Sequence, residues 1–421
     1  MNALAERARA LDAGDPLGRL RERFALPTGP AGETLAYLCG HSLGAAPRAA
    51  RRFVEEELDD WERLGVNAHH AGRRPWIGYA ELLARPLAAL AGAREHEVVA
   101  MNSLTVNLHL LMASFYRPLG RRRLIVMEGG AFPSDRHAVL GQLQWHGLEA
   151  TDALLEVTPP PGEDLLDLAQ LEQLLAARGE EVALVLWPGV QYLTGQAFDL
   201  ARVARAAAAC GAACGFDLAH AIGNVPLALH DAGADFAVWC GYKYLNGGPG
   251  ALAGAFVHER HADSGRPRLA GWWGHDAATR FRMAPEFHPA SGAAGWQVSN
   301  PPILSAAPLL ASLALFDEAG MPALRARALA MNALLLEQIE ARHAARLHCV
   351  TPRDPQQRGC QLSLRVRAGR EAGRALFAAL GAQGIVLDWR EPDILRLAPV
   401  PLYNSYADIA RLLQCLELLP A

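Results

Sequence analysis

The sequence is poor in features that most alternative functions require. Lysine is almost missing, since among 40 basic residues only Lys243 is not an arginine. Basic side chains never run longer than Arg121-Arg122-Arg123 and the net charge is −4, so the phosphate-neutralising surface that a nucleic-acid partner needs is not there. No stretch of about 18 uncharged apolar residues occurs, which argues against a membrane span. The start, Met-Asn-Ala-Leu-Ala-Glu-Arg, alternates charge with alanine and lacks the apolar centre of a signal peptide. The 7 cysteines are scattered, and the nearest two, Cys210 and Cys214, read as packing residues of an alanine-rich helix. Without a paired C-x-x-C pattern or a disulfide framework, a zinc module and a secreted scaffold both drop out, and the compartment reads as reducing cytoplasm. Internal repeats and low-complexity segments are missing too. The glycines from Gly248 to Gly254 have the wrong spacing for a dinucleotide fingerprint and open no helix, which removes a Rossmann dehydrogenase.

At 421 residues the chain exceeds a typical single core, so two domains are expected. Its 51% hydrophobic and 20% charged content is that of a globular protein. It is organised around Asp235-Phe-Ala-Val-Trp-Cys-Gly-Tyr-Lys-Tyr-Leu-Asn-Gly-Gly-Pro-Gly250. Residues 236–240 read as a buried strand, and the glycines and Pro249 beyond exclude a helix while letting backbone approach a ligand. Lys243 therefore stands where a strand of an open α/β sheet ends, the edge at which ligands bind. An amine among neighbours such as Trp239, Cys240, Tyr242, Tyr244 and Leu245 sheds its proton more readily, as Schiff-base formation with an aldehyde cofactor requires.

Residues 210–217 form a helix end and a short strand carrying Asp217 at its tip, followed by Leu218-Ala219-His220. Pyridoxal phosphate needs a lysine for its aldehyde and an acid for its ring nitrogen. A carboxylate about 4 Å from a pyridinium is worth roughly 4 kcal/mol at an effective dielectric of 20. Asp217 also suits the N-cap of a helix starting at Leu218.

Along the chain, residues 1–23 read as an amphipathic helix. Residues 34–38 form a short strand running into Cys39-Gly40-His41-Ser42-Leu43-Gly44, a surface turn or a pocket wall. Residues 51–64 form a charged helix. His69 and His70 belong to a loop or pocket wall rather than a metal site, because no third ligand lies near. A helix at 79–90, a strand at 97–100 and a helix from Thr105 to Phe115 frame a polar turn whose free N–H groups favour an anion. Ser103 or Thr105 would cap that helix. A strand at 123–127 opens into Glu128-Gly-Gly-Ala-Phe-Pro-Ser-Asp135, where Phe132 stacks on a flat ring or fills core. Strands near 150 and at 182–187, 211–217 and 236–240 alternate with helices at 165–178 and 200–210. That alternation predicts an α/β fold, a mostly parallel sheet with helices on both faces. Residues 251–258 are strand-like, and 303–346 are helical with a break near Gly320 and Pro322. Strands near 360–366 and 394–397 with helices at 372–381 and 406–418 make a smaller α+β unit. The expected division is a segment 1–60 joining the small domain, a large domain 61–305 and a small domain 306–421.

Taken together, Phe132-Pro-Ser-Asp135, Gly215-Phe-Asp-Leu-Ala-His220, Trp239-Cys-Gly-Tyr-Lys-Tyr-Leu-Asn246, Gly271-Trp-Trp-Gly-His275, Ser299-Asn-Pro-Pro-Ile303 and Leu397-Ala-Pro-Val-Pro-Leu-Tyr-Asn404 resemble the kynureninase family of fold-type I pyridoxal-phosphate enzymes. Related aminotransferases and desulfurases share the Asp and the Lys but not the segments around Trp272, Asn300 and Pro401-Leu-Tyr-Asn404. The resemblance implies a seven-stranded sheet sandwiched by helices with a smaller domain beside it. It implies that Lys243 holds the aldehyde, that Asp217 meets the ring nitrogen with His220 beside it, and that Phe132 stacks on the ring. Leu104, Thr105, Asp135 and Tyr242 would surround ring and phosphate, with Trp272 and Asn300 arriving from the second subunit of a homodimer. Arg396 would grip the substrate carboxylate, for which a guanidinium fork is suited. Ser42, His69 and Trp273 would face the substrate ring. Pro188 departs from the pattern, since some relatives place Ser there. The implied reaction is hydrolysis of the Cβ–Cγ bond of L-kynurenine, or its 3-hydroxy form, to anthranilate (or 3-hydroxyanthranilate) and L-alanine in tryptophan catabolism. Lys243 and Tyr242 would move the protons.

Two rival readings remain. A cysteine desulfurase would need a mobile nucleophilic thiol, for which Cys360 is the candidate, although it reads as a buried strand residue. A non-catalytic scaffold would have no use for Lys243, Asp217 and Arg396, all of which are kept.

Overall fold

Seven apolar segments build the central sheet of the computed structural model, which describes residues 2–419. The expected domain ranges thus begin and end on residues, 1 and 420–421, that lie outside the described part. The strands are β1 (Val98–Ala100), β2 (Leu124–Glu128), β3 (Leu154–Val157), β4 (Val182–Pro188), β5 (Ala213–Asp217), β6 (Phe236–Trp239) and β7 (Gly254–Val257). They are arranged in the order β1-β7-β6-β5-β4-β2-β3, and only β7 runs antiparallel to its neighbours. Parallel strands are covered on both faces and read as unbroken apolar runs. In β4, Val185 and Trp187 enter one core while Leu184 and Leu186 enter the core on the other side.

Helix α1 (Asn2–Ala13) packs with the second sheet, and the helices covering the central one include α2 (Arg48–Leu64), α3 (Tyr79–Ala91), α4 (Leu104–Phe115), α5 (Pro133–Trp145), α6 (Leu168–Arg178), α7 (Leu200–Ala209), α8 (Ile303–Ala319) and the first half of α9 (Met321–Gln338). Asp167 caps α6 by accepting from the Ala169 N–H at 2.8 Å, and Asp199 caps α7 through the Arg202 N–H at 3.0 Å, each worth about 1 kcal/mol. Among the described residues no single helix is long and apolar enough to cross a membrane.

A second sheet, all antiparallel, contains β8 (Leu347–Cys349), β9 (Leu362–Val366), β10 (Asp388–Arg390) and β11 (Ile394–Leu397) in the order β8-β9-β11-β10. It is covered by α10 (Arg370–Ala382) and α11 (Tyr406–Leu418), with Leu4 and Ala8 of α1 in the same core. The N-terminal segment is tied to this unit by Arg21, which bonds Asp408 at 2.7 Å inside the capping box of α11.

The expected parallel sheet and helices are present, with local differences. Residues 150–153 form a helical turn and the strand starts at Leu154, where the register with Ile125 begins. Cys214 lies on β5 rather than in the preceding helix, because Gly211 at φ 75° ends the helical path. The short edge strands β8 and β10 carry too few residues to show an alternating pattern, and the sequence reading passed over them.

Candidate active site

The carboxyl ends of the parallel strands open onto a cavity of about 130 Å³. Leu104 and Thr105 line it from the start of α4, Glu128 from the tip of β2, and Phe132, Ser134 and Asp135 from the loop into α5. Pro188 ends β4 there, Asp217 ends β5, and Ala219, His220, Tyr242 and Lys243 follow on turns. Leu104, Thr105, Phe132, Asp135, Asp217, His220, Tyr242 and Lys243, scattered in sequence, therefore share one chamber. A larger groove of about 700 Å³ between α6 and α7 is lined by ion-paired side chains such as Arg202 and Glu172, and none of the predicted site residues reaches it.

Lys243 Nζ is 3.1 Å from His220 Nε2, and 5.7 Å and 5.8 Å from the ring centres of Phe132 and Tyr242. Burial, reinforced by the charges of Lys243 and Arg396, holds His220 well below the ordinary imidazole range, so it is neutral. Asp217 Oδ1 accepts the Ala219 N–H at 2.6 Å. The helix that Asp217 would cap is not formed: residues 219–224 are turn, and the bond closes a local turn with one oxygen of a carboxylate that also lines the cavity. Burial first and Asp217 second push the Glu128 carboxyl up to about 8 and the Asp135 carboxyl well above the usual range. Both are protonated at neutral pH, because three carboxylates in one dry space cannot all ionise. Burial also raises the Tyr242 phenol to about 12.

These residues fit pyridoxal phosphate. Glu128 Oε2 and Asp135 Oδ1 are buried without a partner, so the acid end of the chamber has hydrogen-bonding capacity left over for a polar group, and Asp217 beside them is the carboxylate suited to a protonated ring nitrogen. At the other end the N-termini of α4 and α5 meet, with Thr105 Oγ1 2.8 Å from Ser134 Oγ. Neither helix is capped by the side chain of its N-cap residue, leaving first-turn N–H groups for a phosphate. Phe132 is 40% exposed, edge-on to Tyr192 at 5.2 Å, and its face is free for a ring. Pro188 lies in the wall and offers no donor.

Arg396 on β11 is 1% exposed. Its Nη1 donates to the Tyr192 carbonyl at 2.6 Å, and its Nη2 to Ser42 Oγ at 3.3 Å and to Asp388. Ser42 Oγ donates to Asp388 Oδ2 at 2.8 Å, and Arg390 reaches the same carboxylate at 3.0 Å. Burial lowers the Arg396 guanidinium to about 10, which leaves it charged at neutral pH.

The remaining candidates stand apart from this chamber. His69 Nδ1 lies 3.0 Å from the Val66 carbonyl, with its ring edge-on to Trp76. Trp273 is buried under the Arg280 guanidinium at 4.4 Å. Trp272 is 48% exposed and Asn300 is also exposed. The sequence reading missed Glu128, Tyr192 and Asp388 as site residues. Glu128 carries the same signal as Asp217, an acid at the tip of an apolar run, whereas Tyr192 acts through a backbone carbonyl that no sequence pattern marks.

Residues 324–416 match the family described as the kynureninase C-terminal domain. The kynureninase of Xanthomonas campestris pv. campestris (strain B100) is 56% identical over 410 residues, 97% of this chain and 96% of that protein. The chain belongs to the kynureninase family. A second member, the kynureninase of Stenotrophomonas maltophilia (strain K279a), is 55% identical over 97% of this chain and 96% of its own length. Outside the kynureninase family, the apo cysteine desulfurase of Thermococcus onnurineus NA1 superposes with a TM-score of 0.77 at 17% identity, covering 95% of this chain and 97% of that one. A C-DES mutant with glycine covalently linked to its PLP cofactor gives 0.77 at 19% identity, over 93% and 98%. These last two show the fold: α/β, pyridoxal-phosphate fold type I.

Proposed function

We propose that the chain is a pyridoxal-phosphate enzyme that hydrolyses the Cβ–Cγ bond of L-kynurenine to anthranilate and L-alanine. Membership of the kynureninase family supports the activity. The observation that carries it is the convergence of Lys243, Asp217 and Phe132 on one cavity. When bound, the cofactor supplies an electron sink through its protonated ring.

The protein's part is binding, orientation and proton movement. Asp217 would hold the ring nitrogen, with neutral Asp135 and Glu128 beside it in the cavity. Phe132 would cover the ring, while Thr105, Ser134 and the first turns of α4 and α5 would hold the phosphate, with Leu104 against the cofactor. Lys243 would hold the aldehyde, and its Nζ is the base placed to carry the substrate α-proton; His220 Nε2 at 3.1 Å keeps that amine in place. Tyr242 retains its phenolic proton at neutral pH and can donate it. Positioned acid–base groups of this kind are worth about 10²–10⁴-fold each. Arg396, beside Ser42, receives the substrate carboxylate.

A homodimer is part of this reading: exposed Trp272, Phe281 and Met283 form an apolar surface, and Trp272 and Asn300 would reach the partner's cofactor from it. His69 and Trp273 would face the substrate ring from the same junction. The division into 1–60, 61–305 and 306–421 belongs to this reading; the separate core of the second sheet, drawn mostly from Met331 onward with Leu4 and Ala8, supports two units, whereas buried residues from Ala306 to Ala328, and Leu20, Phe24 and Ala45, pack with the central sheet. Seven unpaired cysteines suit a reducing cytoplasm, and the reaction suits tryptophan catabolism. A desulfurase role has less support, since Cys360 is fully buried and its thiol is raised to about 12 by that burial. Steady-state turnover of kynurenine and 3-hydroxykynurenine, followed by product fluorescence, tests the assignment. Equal inactivity on both, with cofactor bound, would overturn it.

A further inference from the structure

At the end of the central sheet away from Lys243, three ligating side chains converge. Glu97 immediately precedes β1, His258 immediately follows β7, and His230 lies in the helical turn Leu229–Ala232. The β1/β7 register, Phe256 opposite Val98, brings the first two together. Glu97 is fully buried and held by two backbone donors, Arg94 N–H to Oε2 at 2.9 Å and Glu259 N–H to Oε1 at 2.8 Å. His230 Nδ1 is 2.9 Å from Glu97 Oε1 and His258 Nδ1 is 3.5 Å from the same oxygen. The two imidazoles stack at 4.8 Å, 29° apart, and the three ligand atoms all lie within 4.8 Å of one another.

His258 Nδ1 accepts the Arg260 N–H at 3.2 Å. That contact uses the one lone pair of Nδ1, so a cation between His258 and Glu97 would take the place of the Arg260 N–H at this nitrogen. Neighbouring charges are already spoken for. Glu259 pairs with Arg94 and His96, and Asp235 pairs with Arg260 and His261.

We propose that Glu97, His230 and His258 form a two-histidine, one-carboxylate site for a divalent cation of the zinc type. Tetrahedral ligands about 2.0–2.2 Å from zinc stand on the order of 3.3 Å apart, close to the observed spacing. Water takes the fourth position, and the His230 proton that now faces Glu97 leaves when the metal enters. The backbone bonds to Glu97 act as the outer support that fixes a ligand's direction. The ion would pin the outer ends of β1 and β7 to the turn that carries His230, a structural role remote from the cofactor.

The test uses chelator-treated holoenzyme and Zn²⁺ alone. Equilibrium dialysis should find one tight Zn²⁺ per chain, and saturating zinc should raise the unfolding midpoint by about 2–5 °C. Co²⁺ should give the visible bands of a tetrahedral site. His258→Ala and His230→Gln should each abolish binding, bands and thermal shift, while His70→Ala, a control at an exposed histidine, should change none of them. Zinc stoichiometry unchanged in both site variants, or no binding by the parent enzyme, overturns the proposal. Should His258→Ala fail to fold, His230→Gln decides alone.

Discussion

Lys243 Nζ sits 3.1 Å from His220 Nε2, and His220 is too deeply buried to carry a charge. The imidazole therefore receives a hydrogen bond from the amine and cannot repel it. The contact anchors the lysine amine in the chamber, 5.7 Å from the centre of the Phe132 ring.

Because Lys243 is the only lysine in the chain, its role can be read chemically. Borohydride reduction of the holoenzyme should fix the cofactor to a single peptide containing residue 243 and abolish the imine absorbance. Lys243→Ala should show neither label nor band, with turnover lowered by at least ~10³-fold. Peptide mapping checks this, and a label confined to the N-terminal amine would refute it.

Arg396 is assigned to the substrate carboxylate. Charge-assisted hydrogen bonds are worth about 1.5–3 kcal/mol each, so Arg396→Gln should raise KM roughly 10–100-fold while cofactor affinity stays within about threefold. An unchanged KM would hand the carboxylate to another group.

How far the sequence discloses this site depends on where each contact comes from. Asp217, Lys243 and Phe132 were legible because each ends or follows an apolar run, and the sheet turns those ends toward one rim. The cap expected of Ser103 or Thr105 is not made: Ser103 stands at the N-cap without a side-chain bond, and Thr105 reaches Ser134 on another helix, a tertiary contact no local pattern marks. Asp388 was hidden for a topological reason: it faces Arg396 across the β10/β11 ladder, and two strands this short leave no periodic trace. The contacts of His69 and Trp273 depend on tertiary packing that no local pattern encodes.

The acid cluster predicts a pH dependence in cofactor-free protein. Glu128 titrates near 8 when folded, against an ordinary value near 4.5, so between those limits the unfolded chain binds fewer protons than the folded one. The Glu128 contribution to stability then falls as pH rises through that window. Thermal unfolding of the apo protein at pH 5.5 and pH 8, about the two ends of the window, should show this loss. Glu128→Gln, which cannot ionise, should shrink it and be more stable than the parent at the higher pH. The same slope in both proteins would show that Glu128 is not the titrating group.

If Trp272 and Asn300 complete the partner's site, two inactive variants should rescue each other. Lys243→Ala mixed with Asn300→Ala and allowed to exchange subunits should recover measurable turnover, because one site of the mixed dimer is intact. No recovery, with exchange verified by mass, would place Asn300 in its own subunit's site.

The loop at residues 39–45 holds both halves of the chamber. Gly44 N–H donates to the Tyr242 carbonyl at 2.8 Å, Ser42 Oγ reaches Asp388 at 2.8 Å, and Cys39 bridges Ala398. A side chain at position 44 would collide with the Lys243 carbonyl, so the approach is open to glycine alone. Amine and guanidinium are thereby spaced by a common ruler, because the loop that holds the backbone beside Lys243 also carries Ser42 to Arg396.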